Sequence, residues 1–558
     1  MNSVNDKSVK AWFKSGSPWV WMTALAVSLS VIAVLGLLML IAARGLVYFW
    51  PHTVYEFQVK GADSTPTVVI GEIRESEDVL ASRMREAGIE VPAGVETLTR
   101  RLVKTGNRDL VGLDFRWILA RDIVGQTTPA DIAVFERREW GNFYGYVDAI
   151  KENGNLVVEG PSAWTDLPAR LERTQAISDE LNRLEKKEIG GINYQIERLR
   201  LRERKAELAG QKDAVFVAEI EQERVALQSN FAALQAKIGE LNRDIARDVL
   251  VTHVAGGKSV EIPLAKVVRV YRPNALSVVG KAQFYVHSVW NFVSGEPREA
   301  NTEGGIFPAI FGTVLMVIIM SVLVTPFGVI AAVYLREYAS QGFITRIVRI
   351  AVNNLAGVPS IVYGVFGLGF FVYFVGGNID RAFFPEMLPA PTFGTSGILW
   401  ASLTLAILTL PVVIVATEEG LSRIPRNIRE GSLALGATKW ETLWRTVLPM
   451  ASPAIMTGVI LAVARAAGEV APLMLVGVVK LAPSLPLDGN FPFLHLDRKF
   501  MHLGFHIHDV GFQSPNVEAA RPLVYATALL LVLVIVLLNI AAITIRNRLR
   551  EKYKAFDQ

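Results

Sequence analysis

Apolar positions along this chain gather into six long uncharged stretches, and one of the polar segments between them is far longer than the others. The stretches run 15–43, 304–335, 350–379, 387–417, 446–464 and 522–545. Such runs match the roughly 20 apolar residues that a helix needs to cross a hydrocarbon layer. The fifth is the shortest, and it continues past Arg465 and Glu469 to about Val479. The first has Lys7, Lys10 and Lys14 ahead of it, as a secretory signal would. Its apolar run is too long for a signal core, so it reads as an uncleaved anchor. Basic residues orient the spans. The N-terminus 1–14, the loops 336–349 and 418–445, and the tail 546–558 with Arg546, Arg548, Arg550, Lys552 and Lys554 are basic, which predicts a cytoplasmic side. The loops 380–386 and 480–521 are mixed in charge and are expected outside.

The long polar segment, 44–303, takes its external side from its neighbours. Short alternating runs broken by Gly and Pro predict strands over 52–160 and again over 249–287, as in Thr67-Val68-Val69-Ile70-Gly71 and Val267-Val268-Arg269-Val270-Tyr271. A helical patch is expected near 77–87. Between the two strand regions, 167–248 repeats apolar residues at alternating spacings of four and three, as in Leu227, Phe231, Leu234, Ile238, Leu241 and Ile245. That is a heptad pattern. A break at Gly210-Gln211-Lys212-Asp213 would fold it into an antiparallel coiled-coil hairpin, with Gly190-Gly191 a weak point in the first arm. The fold class expected is therefore mainly α: a polytopic membrane protein with six transmembrane helices plus a periplasmic β-rich domain carrying a coiled-coil hairpin.

Composition agrees and narrows the chemistry. Of 558 residues, 51% are hydrophobic, too many for an ordinary soluble domain, and the net charge of +4 is too modest for a nucleic-acid surface. The chain has no cysteine, which excludes disulfides, thiolate chemistry and cysteine metal sites. Gly257-Lys258-Ser259 ends like a phosphate-binding loop, but the required first Gly falls at Thr252 and no helix is predicted after it. Any ATP that drives this protein is expected on a different chain. His495, His502, His506 and His508 crowd the loop 480–521, yet no carboxylate or Cys stands at a confirming spacing, so no metal is assigned.

Three places carry candidate function. Arg465 and Glu469 lie four residues apart inside the fifth stretch, on one face of the predicted helix. Ionisable groups at that depth cost several kcal/mol unless they pair or face water. They are either a pair that fixes helix packing or an anion-handling site, in which the planar guanidinium suits phosphate-like oxygens. In the third stretch, Pro359 is expected to kink the helix, Gly357 and Gly364 to allow close helix approach, and Ser360 lies among them. Asn353 and Asn354 precede them as polar groups that need partners. The third place is Glu430–Pro449, a basic loop that nonetheless displays Leu433, Leu435, Trp440, Leu443 and Trp444. Gly436 suits a tight reversal, Thr438 and Glu441 form a capping box, and Pro449 is expected to stop the run. This predicts a short helix–turn–helix that docks into a groove on a partner.

That loop resembles the coupling loop of ABC-importer permeases, whose pattern is Glu430, the small pair Gly431-Ser432, Gly436, and Leu448-Pro449 thirteen residues on. Gly-Ser replaces the commoner Ala-Ala, and Thr446 holds a position usually aliphatic. With GVPSIVYGVFGLG at 357–369 and ARAAGEVAPL at 464–473, the stretch 300–550 resembles the permease subunits of phosphate ABC importers, the PstA type more than its sister. The resemblance implies a permease core at 304–545 of five helices, with the coupling loop at 418–449. It implies import of inorganic phosphate by alternating access, with Arg465 and Glu469 on the substrate path. It also implies three partners: a PstC-type permease, a PstB-type ATPase dimer that holds ATP and Mg, and a periplasmic phosphate-binding protein of PstS type. This chain would carry no cofactor and do no covalent chemistry, and it would sit in the bacterial inner membrane with both termini cytoplasmic. The short family members lack the segment 44–303. The alternatives are a permease for another oxyanion and a membrane-anchored periplasmic sensor or adaptor.

Overall fold

A computed structural model describes residues 15–60, 66–92, 94–298, 301–514 and 517–553. The basic stretch with Lys7, Lys10 and Lys14 and the tail from Lys554 lie outside it. Among the described residues six helices are long and apolar enough to cross a membrane: Ser17–Val47, Phe307–Tyr338, Ser360–Phe383, Ile398–Arg423, Lys439–Gly468 and Ala520–Arg548. They are spans 1 to 6 below, and the chain is a multi-pass membrane protein. Span 4 is the centre of the bundle. Its Ala401, Leu405, Leu408 and Val413 pack among Met316, Met320 and Val324 of span 2 and Ala462 and Ala466 of span 5. Span 1 lies along span 6 and leaves most of its apolar surface uncovered.

Two spans begin later than the apolar runs predict. The run 350–379 is divided: Phe343–Leu355 forms a separate amphipathic helix, a turn follows, and span 3 starts at Ser360. Pro359 therefore precedes a helix instead of kinking one, because proline restricts the residue before it and donates no hydrogen bond to a preceding turn. Span 4 starts at Ile398, not 387: Pro389 and Pro391 would interrupt a helix begun at 387, and Phe393 and Gly394 are held in a loop. The loop ahead of it is held by Asp380, 1% exposed, which accepts the backbone N–H groups of Phe393 and Gly394 at 2.9 and 2.6 Å.

The segment between spans 1 and 2 is β-rich. Strands β1 (Val54–Lys60), β2 (Pro66–Leu80), β3 (Thr97–Lys104), β4 (Phe115–Leu119) and β5 (Ile123–Thr127) form an antiparallel sheet in the order β4-β3-β2-β1-β5. A second sheet has the order β10-β9-β7-β6-β11 with β8 against β7. Its strands are β6 (Ala133–Arg137), β7 (Asn142–Glu152), β8 (Asn155–Glu159), β9 (Asp248–His253), β10 (Ser259–Pro263) and β11 (Val267–Tyr271). The helical patch expected at 77–87 is shorter: β2 runs to Leu80, and only Ala81–Glu86 is helical. The strand expectation for 249–287 fails at its end, where Val278–Ser294 is a helix capped by Ser277. There Phe284, Tyr285, Val289 and Phe292 repeat at helical spacing, which overrides the high strand propensity of its valines.

Between β8 and β9 the chain makes a helical hairpin. The first arm runs Pro161–Leu208 and the second Ala214–Ile245. Gly210, with φ +67°, makes the reversal, and the Asp213 side chain caps the second arm by accepting the Phe216 N–H at 2.8 Å. Ion pairs cross between the arms: Lys237 to Glu180 at 3.1 Å, Arg224 to Glu203 at 2.8 Å, and Arg202 to Glu219 at 2.9 Å. The first arm is not uniform. Leu184–Ile189 is π-helical, immediately before Gly190-Gly191.

Candidate functional site

Span 5 breaks where its charges lie. The helix ends at Gly468, and Glu469 caps it in an extended conformation, with φ −78° and ψ 135°. The expectation that Arg465 and Glu469 share one helical face within a span running to Val479 is therefore corrected. Gly468 and Pro472 flank the break, and neither sustains a helix interior. A four-residue helix, Leu473–Val476, follows. Arg465 sits in the last turn, where unpaired carbonyls favour a cation. Its Nε lies 3.6 Å from Glu469 Oε1, an ionic contact longer than a hydrogen bond, and the side chains are 32% and 21% exposed. The pair is loose, because the contact is too long to be a hydrogen bond.

Span 3 sets the position of the broken segment. A Cβ added to Gly364 would meet Pro472 Cα at 2.7 Å and Pro472 O at 3.0 Å, so this glycine permits backbone-to-backbone contact with the break. Gly357 makes no comparable approach. It lies in the turn before span 3, and its nearest neighbour is Asn354 O, at 3.4 Å from a built Cβ. Pro359 and Ser360 open span 3, and Tyr363 hydroxyl closes the turn by donating to Leu355 O at 2.6 Å.

The loop between spans 4 and 5 folds as a helix–turn–helix. Arg426–Ala434 is helical, and Gly436 reverses the chain with φ +89°, a conformation that disfavours any side chain. Thr438 and Glu441 form a complete capping box. Glu430, Gly431 and Trp440 are exposed, and Trp440 stacks on Trp444 with ring centroids 5.9 Å apart. Leu433, Leu435, Trp440 and Trp444 form the uncovered apolar surface, whereas Leu443 is buried in the chain's own core beside Leu421 and Val447. Pro449 does not stop the run. A π-helical stretch, Leu443–Val447, shifts the hydrogen-bond pattern just before it, and the helix continues through Leu448 and Pro449 to Gly468.

Arg429 and Glu337 join this set without having been distinguished in the sequence, where Arg429 is one loop cation among several. Arg429 reaches Glu337 of span 2 at 3.0 Å and also donates to the carbonyls of Leu421 and Ile424 at 2.7 and 2.8 Å. This ties the loop between spans 4 and 5 to the ends of spans 2 and 4. Lys439 also donates to the Glu337 carbonyl.

At the opposite end, the loop between spans 5 and 6 forms an ion-laced platform. Asp488 holds Arg498 at 2.6 Å and His495 at 2.9 Å, and it accepts the Asn490 N–H at 2.8 Å. Burial pushes its carboxyl up, but these three partners outweigh burial and hold it down at about 2. His502 and His506 are buried against the bundle, and burial holds them at about 3 and about 4. Among the described residues no three His, Asp or Glu side chains group as metal ligands do.

Residues 324–553 match the family described as binding-protein-dependent transport system inner membrane component. The phosphate transport system permease protein PstA 1 of Mycobacterium tuberculosis (strain CDC 1551 / Oshkosh) is 35% identical over 247 residues, 44% of this chain and 71% of that protein. PstA of Mycobacterium leprae is 36% identical over 225 residues, 40% of this chain and 68% of that protein. This chain belongs to that permease family. The probable ABC transporter permease YqgI of Bacillus subtilis is 30% identical over 260 residues, 45% of this chain and 81% of that protein. The permease is thus a membrane component of a transport system and not an enzyme. The β sheets and the hairpin lie outside the family match.

Proposed function

We propose that this chain is the permease subunit of an ATP-driven importer of inorganic phosphate, which crosses the inner membrane by alternating access. Its likeness to PstA proteins supports the cargo. The structural observation that carries the reading is the break in span 5, which presents a loosely paired Arg465 at the end of a helix within the bundle. An intramembrane guanidinium with free donors offsets the charge of a passing oxyanion, and Glu469 restrains it between passages. The exposed surface of Leu433, Leu435, Trp440 and Trp444 supports a cytoplasmic docking role, because such a patch needs a cover. Its cover is a PstB-type ATPase dimer holding ATP and Mg. A PstC-type permease and a PstS-type periplasmic binding protein complete the complex. The termini then face the cytoplasm and the β sheets face outward. Heptads and ion pairs between the arms support coiled-coil winding of the hairpin.

The test is radiolabelled phosphate uptake in cells expressing the assembled complex, with sulfate and a phosphonate as competitors. Uptake resisting both competitors is expected. Equal competition by either would transfer the reading to another oxyanion, and no uptake would reject import.

A further inference from the structure

The hairpin does not project freely. Its first arm lies over two loops of the permease core. The Tyr194 hydroxyl donates to the Phe491 carbonyl, and the Tyr194 ring stands edge-on to His495 with centroids 6.2 Å apart. The Arg198 guanidinium lies 5.7 Å from the centre of the Phe491 ring. Further along the arm, Gln195, Leu199 and Arg202 line a cleft with Glu386 of the loop between spans 3 and 4. The arm therefore bridges the loops that join spans 3 to 4 and 5 to 6, at the end of the bundle where span 5 breaks.

What it rests on is stiff. Asp488, His495 and Arg498 lock the platform, and Phe493 holds φ +68°, uncommon for an aromatic residue and maintained only where surroundings dictate it. The platform is bonded directly to the transport elements. Ile398 and Leu399, which begin span 4, donate to the Arg498 and Leu496 carbonyls at 2.9 and 3.0 Å. Val479 donates to Phe500 O at 3.0 Å, and Phe500 to Gly477 O at 3.2 Å, which ties in the segment that follows Glu469. The platform and the segment that follows the break are thus joined by backbone hydrogen bonds.

The arm has a fixed base and a place to bend. Near its start, Arg170 binds Asp166, Glu152 and Asp248, and Arg173 also binds Asp248, which fastens it to the second sheet. The π-helical Leu184–Ile189 and Gly190-Gly191 separate that base from the part that touches the platform. A π segment and paired glycines are the weakest points of a long helix. At the seat the arm makes a hydrogen bond, an edge-on ring contact and a cation–π contact, each of them weak by itself.

We propose that the hairpin is a strap across the external end of the substrate path, seated in this structure, which must lift about residues 184–191 for the delivered anion to enter. This rests on the import reading. The natural absence of cysteine provides a clean test. Tyr194 lies beyond the bend and touches Phe491, so Tyr194→Cys and Phe491→Cys can be bridged by a dithiobismaleimide spacer that dithiothreitol cleaves. The double variant is expressed with the whole complex, treated with that spacer, and assayed for crosslinking and phosphate uptake before and after dithiothreitol. The crosslink is expected to form and to lower uptake at least tenfold, with recovery on reduction and no effect in either single variant. A complete crosslink with unchanged uptake overturns the strap, and so does failure to crosslink. If the reduced pair is itself inactive, Tyr194→Ala with Arg198→Ala decides. A several-fold rise in ATP hydrolysis without binding protein supports the strap, and an unchanged rate overturns it. Failure of the import reading is distinct, because the parent chain would then take up no phosphate in any state.

Discussion

Gly364→Ala adds one methyl group at the contact between span 3 and the break in span 5. The new carbon would sit 2.7 Å from Pro472 Cα and 3.0 Å from Pro472 O. Both are backbone atoms, so neither can rotate away as the end of a side chain would. Ordinary contact between such atoms begins at 3.4 Å, so the two elements must separate by about 0.7 Å. Overpacking of this kind costs about 1–3 kcal/mol. The strain falls three residues from Glu469, on the segment that sets its position relative to Arg465. If transport needs this geometry, about 1.4 kcal/mol placed on the transporting conformation slows uptake about tenfold. The internal control is Gly369→Ala in the same span, where an added Cβ meets nothing within 4 Å. Phosphate uptake normalised to membrane-inserted permease is expected to fall at least fivefold for Gly364→Ala and to stay within twofold for Gly369→Ala. Equal activity of the two variants would refute the claim that close approach at Gly364 positions the break.

Arg465→Gln and Glu469→Gln are each expected to abolish most uptake while the complex still co-purifies, and parental uptake in both would remove them from the path. Gly436→Val places a β-branched residue at φ +89° at a cost of about 1–2 kcal/mol, so uptake and ATPase co-purification should fall together. Loss of uptake with the ATPase still bound would assign Gly436 to transmission instead of docking. His502 and His506 have ordinary values near 6.5 when unfolded and about 3 and about 4 when folded. Below pH 6.5 the unfolded chain takes up protons that the folded chain refuses, so stability falls as pH drops towards 4. The loss is about 2 kcal/mol per histidine at pH 5. The thermal midpoint of purified complex should decline steadily from pH 7 to pH 5, and a flat profile would mean that these rings are not buried.

The membrane character of the chain was legible because it rests on composition over long windows. Uncharged runs of this length have few stable options other than spanning helices, and all six appear. The helix–turn–helix between spans 4 and 5 was legible for a local reason: Gly436 and the pair Thr438 and Glu441 are backbone signals that act within one turn. Span ends were less legible. Apolar composition continues through 350–359, 387–397 and 469–479, and proline and the packing of neighbours decide where the helix stops. Only the tertiary structure could join residues distant in sequence. Arg429 meets Glu337, Gly364 meets Pro472, and Tyr194 meets Phe491 because span 4 and the platform hold their elements at contact distance. Periodicity marks which face of a helix is apolar, but it carries no record of what that face will touch. That choice is made by the packing of the whole bundle, and it sets an arginine at the end of a broken helix and a hairpin arm across the loops above it.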